Sequence, residues 1–274
     1  MLKPPFSYYG GKQTLASTIV KLIPPHRLYC ESFAGGAAVF FAKNPSEMEV
    51  INDYNNAIVK FYRAIKTDYA ILKMLIEQTP NSRSIHRESA FVLKNAEHFS
   101  DLKVAWAVWV QTNMSFTSKM FAGYAYAVGK NSQALKLINK KLAFNKKLQK
   151  RFDMVDIESN DAIKVISSRD REDTFHYVDP PYYNSNCGHY AGYTLEDYTK
   201  LLSTLENVKG KFLLSSYPSE VLNEFVKRNG WYQHIITKKI VCTKGDRTKD
   251  KQEVLTANYD IVSMLKYNKK GFSY

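Results

Sequence analysis

Arg27-Leu28-Tyr29-Cys30-Glu31-Ser32-Phe33-Ala34-Gly35-Gly36-Ala37-Ala38-Val39-Phe40-Phe41 changes character twice within fifteen residues, and that change sets the architecture. From His26 to Ser32 the segment predicts a strand. Gly35 and Gly36 then punctuate the chain, and the apolar run Ala38-Val39-Phe40-Phe41 opens a helix. Strand, glycine turn and helix begin a parallel β-α-β unit. The continuation follows at once: Glu49-Val50-Ile51 predicts a short strand, and Ile58, Phe61, Tyr62 and Ile65 recur at helical spacing.

Between Thr67 and Arg151 the strand signal disappears and helical periodicity with polar breaks takes over. Residues 67–151 therefore predict a helical insertion forming a second domain, carried by a core of residues 1–66 and 152–274. Beyond it, strands over 154–158, 174–178 and 211–215 alternate with helices over 162–166, 195–205 and 219–228. Two last strand-like runs, 232–243 and 253–262, flank a basic turn and predict an antiparallel hairpin on the sheet edge. Such alternation implies an α/β fold with a largely parallel sheet covered on both faces.

Among the 274 residues, 45% are hydrophobic and 14% aromatic, which excludes a disordered chain. The 39 basic against 26 acidic side chains leave a net charge of +13 and point to a polyanionic partner, nucleic acid first, because cations that neutralise phosphates release counterions. The longest apolar run, Val104 to Val110, is too short to span a bilayer, and the polar, Pro-rich start is unlike a secretory signal, so no membrane is expected. Cys30, Cys187 and Cys242 form no CxxC pair, which fits a reducing, cytoplasmic setting and no metal site. Lys130, Lys136, Lys140, Lys141, Lys146, Lys147, Lys150 and Arg151 form a basic run unbroken by acid. The run is interleaved with amide side chains suited to phosphates and base edges; a solvated helix face is the alternative. Lys244, Arg247, Lys249 and Lys251 add a second basic surface.

Open parallel sheets bind ligands at the carboxyl ends of their strands, where Gly35 and Gly36 lie. Asp53, at the end of the second strand, stands where a carboxylate accepts from both ribose hydroxyls of a nucleoside cofactor, or else caps the following helix. The full GxGxxG fingerprint is absent, which disfavours NAD. Tyr8-Tyr9-Gly10-Gly11-Lys12 is no P-loop, because Phe6 and Gln13 stand where that motif needs Gly and Ser or Thr. Lys12 is either a cation for a carboxylate or a solvated lysine. After the strand 174–178 comes Asp179-Pro180-Pro181-Tyr182. Two prolines remove two backbone donors, so a carboxylate and a carbonyl make a two-acceptor site for an amine, with the Tyr182 ring to lie against its carrier. A proline turn in which Asp179 bonds its own backbone is the bland alternative. Ser215-Ser216-Tyr217-Pro218 either lines the same pocket or is a plain turn.

In their order, Phe6 to Lys12, Glu31 to Gly36, the insertion and then Asp179 to Tyr182, these motifs resemble those of the Dam-type DNA adenine-N6 methyltransferases, the D12 class of the alpha group. The resemblance covers most of residues 4–262 outside the insertion. It implies a Rossmann-like seven-stranded methyltransferase sheet with a C-terminal antiparallel hairpin and an inserted helical DNA-recognition domain. It also implies S-adenosyl-L-methionine bound by Tyr8, Lys12, Phe33, Gly35, Asp53, Asp161 and Asp179. Asp179, Pro180, Pro181 and Tyr182 then act on an adenine flipped out of double-stranded DNA, while Lys130, Lys136, Lys140, Lys141, Lys146, Lys147, Lys244 and Arg247 hold the DNA. A monomer encoded by a bacterium or phage, with a companion restriction endonuclease as an optional partner, goes with that picture. Ala37 departs from the family's FxGxG pattern, a change that a negative φ tolerates. Methylation of RNA, and DNA binding without activity, are the competing functions. GATC is the recognition sequence the resemblance offers, but Gln111 to Lys119 departs from the pattern that accompanies it.

Overall fold

The computed structural model describes residues 2–126, 132–183, 192–241 and 248–269, with backbone alone for 238–241, 248–251 and 267–269. Its strands are β1 (Leu28–Glu31), β2 (Met48–Asn52), β3 (Val155–Glu158), β4 (Thr174–Val178), β5 (Lys211–Ser216), β6 (Tyr232–Val241) and β7 (Thr248–Ala257). They form one seven-stranded sheet in the order β3-β2-β1-β4-β5-β7-β6, the strand number that the resemblance implies. β2 pairs β3 in parallel, and β4 pairs both β1 and β5 in parallel. β7 runs antiparallel to β5 and to β6, so the hairpin inserts its second strand next to β5 and leaves β6 at the edge. The order reverses between β1 and β4, and the carboxyl ends of those two strands flank the switch point where doubly wound sheets bind ligands.

Two compact units share these strands. The first comprises residues up to Val20 and Ala34–Asn160. It holds α1 (Ala16–Val20), α2 (Ala38–Ala42), α3 (Asn56–Thr67), α4 (Tyr69–Gln78), α5 (Arg83–Lys94), α6 (Asp101–Met114), α7 (Gln133–Ala143) and α8 (Lys146–Arg151) together with β2 and β3. The apolar run of the sequence is the middle of α6, buried on every side from Val104 to Val110, with α3 and α5 packed along it. None of the described helices is long and apolar enough to cross a membrane. The described residues between 67 and 151 form α4 to α8 with the turns between them, and they share their compact unit with β2 and β3. Phe6, Phe40, Phe41, Phe61, Tyr62 and Phe152 form a fully buried aromatic core in this unit.

The second unit, Lys21–Phe33 and the chain from Asp161, holds α9 (Ala162–Arg169), α10 (Leu195–Glu206), α11 (Glu220–Asn229) and α12 (Ile261–Lys269). Leu201, Leu202, Phe212, Leu214, Leu222 and Trp231 pack between α10, α11 and the sheet. The expected strand over 253–262 is shifted: β7 begins at Thr248 and ends at Ala257. The carboxylate of Asp260 then accepts from the N–H groups of Val262 and Ser263, 3.0 Å each, and starts α12 instead. Cys30 is a buried thiol, while Cys187 and Cys242 lie outside the described residues.

Candidate active site

Each unit carries its own set of the predicted residues. In the first, Asp53 leaves the end of β2 with its carboxylate clamped by backbone, Oδ2 accepting from the Gly35 N–H at 2.7 Å and Oδ1 from the Asn55 N–H at 2.8 Å. Burial raises this carboxyl above its ordinary value, and the two N–H groups offset part of that rise. Asn55, not Asp53, caps α3, which disposes of the capping alternative. Gly35 has φ +46°, and its carbonyl accepts from the buried Tyr62 hydroxyl at 2.6 Å. A Cβ on Gly35 would stand 3.0 Å from the Tyr8 ring, and one on Gly36 would stand 2.8 Å from Tyr8 Cβ. The glycines thus make room for Tyr8, whose ring fills the space against the turn. Lys12 is buried, its ammonium 3.4 Å from the Gly10 carbonyl, so it is not a solvated lysine.

Ala37 has φ 49° and ψ 40°, left-handed rather than the negative φ expected of a tolerated alanine. The family's glycine position is where the backbone must turn left, and an alanine there costs about 1–2 kcal/mol. A tight turn from the Ala37 N–H to the Ala34 carbonyl, 2.5 Å, and complete burial hold it in place.

In the second unit Phe33 is half-buried and meets the Tyr193 ring edge-on at 6.5 Å. Asp161 is exposed and caps α9 by accepting from the Lys164 N–H at 3.1 Å. Asp179 follows β4 directly and is half-buried; Pro180 is buried, and Pro181 and Tyr182 are half-buried. The Tyr182 hydroxyl donates to Oε1 of Glu253 and lies 3.3 Å from Oδ1 of Asp179. Ser215, on β5, donates to the same Glu253 oxygen at 2.6 Å, and the Tyr182 ring tilts against Tyr217 with centroids 4.2 Å apart. Ser215 near the end of β5 and Tyr217 just after it therefore stand beside Tyr182 and Glu253. Tyr29 donates to the buried Glu31 carboxylate at 2.6 Å.

Burial first, then the charges of Asp179 and Glu253, push the Tyr182 phenol well above its ordinary value, and for Tyr177 the charge of Glu31 adds to both. Both phenols keep their protons. Carboxylates set around a half-exposed aromatic ring accept N–H groups and stabilise positive charge that develops on a nitrogen. Glu253 was missed from sequence; the only signal was a lone acid opening the apolar run Val254-Leu255.

A family model for the D12 class N6 adenine-specific DNA methyltransferases matches residues 8–243. The chain belongs to this family. It is 26% identical over 284 residues, 94% of this chain and 96% of the relative, to the Type II methyltransferase M1.LlaDCHI of Lactococcus lactis subsp. cremoris. Among solved structures it is similar to the precorrin-6y C5,15-methyltransferase of Geobacter metallireducens. The TM-score there is 0.38 and the identity 10%, over 89% of this chain and 86% of that one. A second likeness, to an rRNA methylase of Streptococcus thermophilus, has a TM-score of 0.34 and 10% identity over 94% and 97% of the two chains. This D12 enzyme is a methyltransferase that acts on the N6 of adenine in DNA.

The basic residues expected to hold DNA divide into three groups. Lys136 on α7 and Lys146 and Lys147 on α8 are exposed. Lys140, Lys141 and Arg151 are engaged inside the D12 enzyme. Lys140 donates to Ser7 Oγ at 3.1 Å, and Lys141 donates to the carbonyls of Glu77 and Thr79, closing the end of α4. Arg151 is buried with both terminal nitrogens on Glu49, one at 2.9 Å, and its guanidinium 3.6 Å from the Phe40 ring centroid. Lys130, Lys244 and Arg247 lie outside the described residues. Gln111 is buried and shapes a turn by accepting from the Phe121 N–H at 2.9 Å. A bridge between Ser115 and Tyr124 closes that turn, which exposes Phe116 and Phe121. Beside it a cavity of about 290 Å³ is lined by Arg83, Arg87 and Lys94 of α5 with Phe121 and Tyr124. This face too was missed; its signal was three cations four and seven residues apart on one helix.

Proposed function

We propose that this D12 enzyme acts site-specifically on double-stranded DNA and methylates an adenine flipped out of the duplex. The carrying observation is that Asp179 and Tyr182 stand together after β4, the Tyr182 hydroxyl 3.3 Å from Oδ1 of Asp179, beside the switch point of the sheet. When bound, S-adenosyl-L-methionine supplies an electrophilic sulfonium methyl group. The residues present fit it. Asp53, clamped by two N–H groups, keeps carboxylate lone pairs for ribose hydroxyls. Tyr8, Lys12 and Gly35 belong to the same unit and would hold the cofactor with it, while Phe33, Asp161 and Asp179 are the cofactor residues expected of the other unit.

Adenine N6 is a poor nucleophile because its lone pair is delocalised into the ring. Asp179 and the Pro180 carbonyl accept its two N–H groups, which favours a pyramidal nitrogen. Pro180 and Pro181 bring no backbone N–H to compete. As positive charge develops on N6 the Asp179 carboxylate stabilises it, and the proton leaves afterwards. Flipping costs roughly a few kcal/mol, which stacking on Tyr182 partly offsets. Residues 67–151 serve as the target-recognition domain. Exposed Lys136, Lys146 and Lys147 meet phosphates, the cations of α5 add to them, and the Phe116–Phe121 turn reaches base edges.

The relative's designation as a Type II methyltransferase supports a restriction-modification setting with a companion endonuclease. A monomer in the cytoplasm, encoded by a bacterium or phage, completes the proposal. Incubation with duplex DNA, RNA and labelled cofactor tests the reading. Label enters adenine N6 of DNA, and Asp179→Ala abolishes it while DNA is still retained at low salt. Label on RNA alone, or undiminished turnover by Asp179→Ala, overturns it.

A further inference from the structure

A phenol has one proton, and the Tyr182 hydroxyl lies within reach of two carboxylates. The contact with Glu253 Oε1 is much the shorter, while Asp179 Oδ1 is 3.3 Å away. Glu253 is itself fixed. It lies two residues before Leu255 on β7, so its side chain points to the same face of the sheet, and Leu255 is in register with Ser215 on β5. Ser215 donates to Oε1 at 2.6 Å, and the residue is 8% exposed. The Tyr182 phenol, held protonated by burial and by both charges, is a donor throughout.

We propose that Glu253 is a positioning residue that draws the Tyr182 proton away from Asp179, so that Tyr182 does not occupy the Asp179 oxygen needed by the amine of the target base. The role rests on the assignment of Asp179 made above. Without Glu253, the charge-assisted bond to Asp179 becomes the better one for Tyr182. The hydroxyl then donates into the carboxylate that must accept from N6, and it pulls the ring toward Asp179 and away from Tyr217. Glu253 acts through Tyr182 and touches no reacting atom.

Glu253→Gln tests this with little change of shape, since a neutral amide oxygen competes poorly with a carboxylate for the phenol proton. Single-turnover methylation of duplex DNA falls about tenfold, the worth of one misdirected charge-assisted hydrogen bond. Adding Tyr182→Phe, which removes the offending hydroxyl and keeps the ring, makes the double variant faster than Glu253→Gln alone. A merely structural role predicts the reverse, because two losses at one site compound. Should Glu253→Gln fail to fold, as read by cofactor and DNA retention, Glu253→Asp withdraws the charge by one methylene and predicts the same order of rates. A Glu253 variant as fast as wild type, or a double variant no faster than its Glu253 parent, overturns the proposal. If Asp179→Ala turns over normally, the failure lies in the assignment of Asp179 instead.

Discussion

Arg151→Met separates a structural cation from a DNA-facing one. Sequence placed Arg151 at the end of a basic run, yet its guanidinium is buried between the Glu49 carboxylate and the Phe40 ring. Burial alone would raise the Glu49 carboxyl, but hydrogen bonds from Arg151 and Lys43, with their charges, together hold it below its ordinary value. Removing one partner of such a buried pair costs about 3–5 kcal/mol, because the remaining charge keeps its desolvation penalty. Lys43, 2.5 Å from Glu49, stays and keeps the loss toward the lower end. At about 2–4 °C per kcal/mol, the melting temperature drops by roughly 6–12 °C for the lower 3 kcal/mol.

Because the folded Glu49 is depressed, its contribution is fully present above its ordinary value of 4.5 and is lost as pH falls through the folded value. In Arg151→Met that acid-side loss begins at a higher pH. Thermal melts from pH 3 to 8 read both effects, and the salt dependence of DNA binding supplies the control, its slope staying that of the wild type. A variant that melts like the wild type while its slope falls by about one unit would refute the burial argument and return Arg151 to the DNA surface.

Gly35→Ala forces a Cβ to 3.0 Å from the Tyr8 ring at φ +46°. The left-handed cost of about 1–2 kcal/mol, less roughly 0.4–1 kcal/mol for the entropy lost from the unfolded chain, leaves a net loss of about 1 kcal/mol, and a melting temperature at or above the wild-type value contradicts it. Lys136→Ala and Lys147→Ala each lower the slope of log binding constant against log salt by about 0.9, whereas Lys141→Ala, whose ammonium closes α4, leaves it unchanged. Equal slopes for all three variants would erase the division of the basic run drawn here.

Most strands and helices were legible because their signals are local. β4 is a buried run of five aromatic and β-branched residues ending at a proline turn, and α3 shows its buried face every three or four residues. The hairpin was legible as a pair, but not that β7 rather than β6 lies against β5. Its far end was misread because apolar residues from 259 to 262 fit a strand until the Asp260 side chain captures two N–H groups. At the candidate site, a tetrapeptide singled out Asp179 and Tyr182, whose side chains stand 3.3 Å apart, and the distance after the glycine turn singled out Asp53, which accepts from the Gly35 N–H. Glu253 was not, since its meaning depends on Tyr182, 71 residues away, and on Ser215, 38 residues away.

The order of short motifs was enough to assign the chemistry, because a strand end, a glycine turn and a double proline each impose their geometry within a few residues. Which charge serves which purpose was decided only by folding. Arg151 and Glu49 are 102 residues apart and Lys140 and Ser7 are 133, so a lysine left on the surface and a cation bound for the core look alike until the chain closes over one of them. Ala37 shows the same division on the backbone: its identity is in the sequence, but the left-handed φ that makes it costly comes from the turn that packs around it.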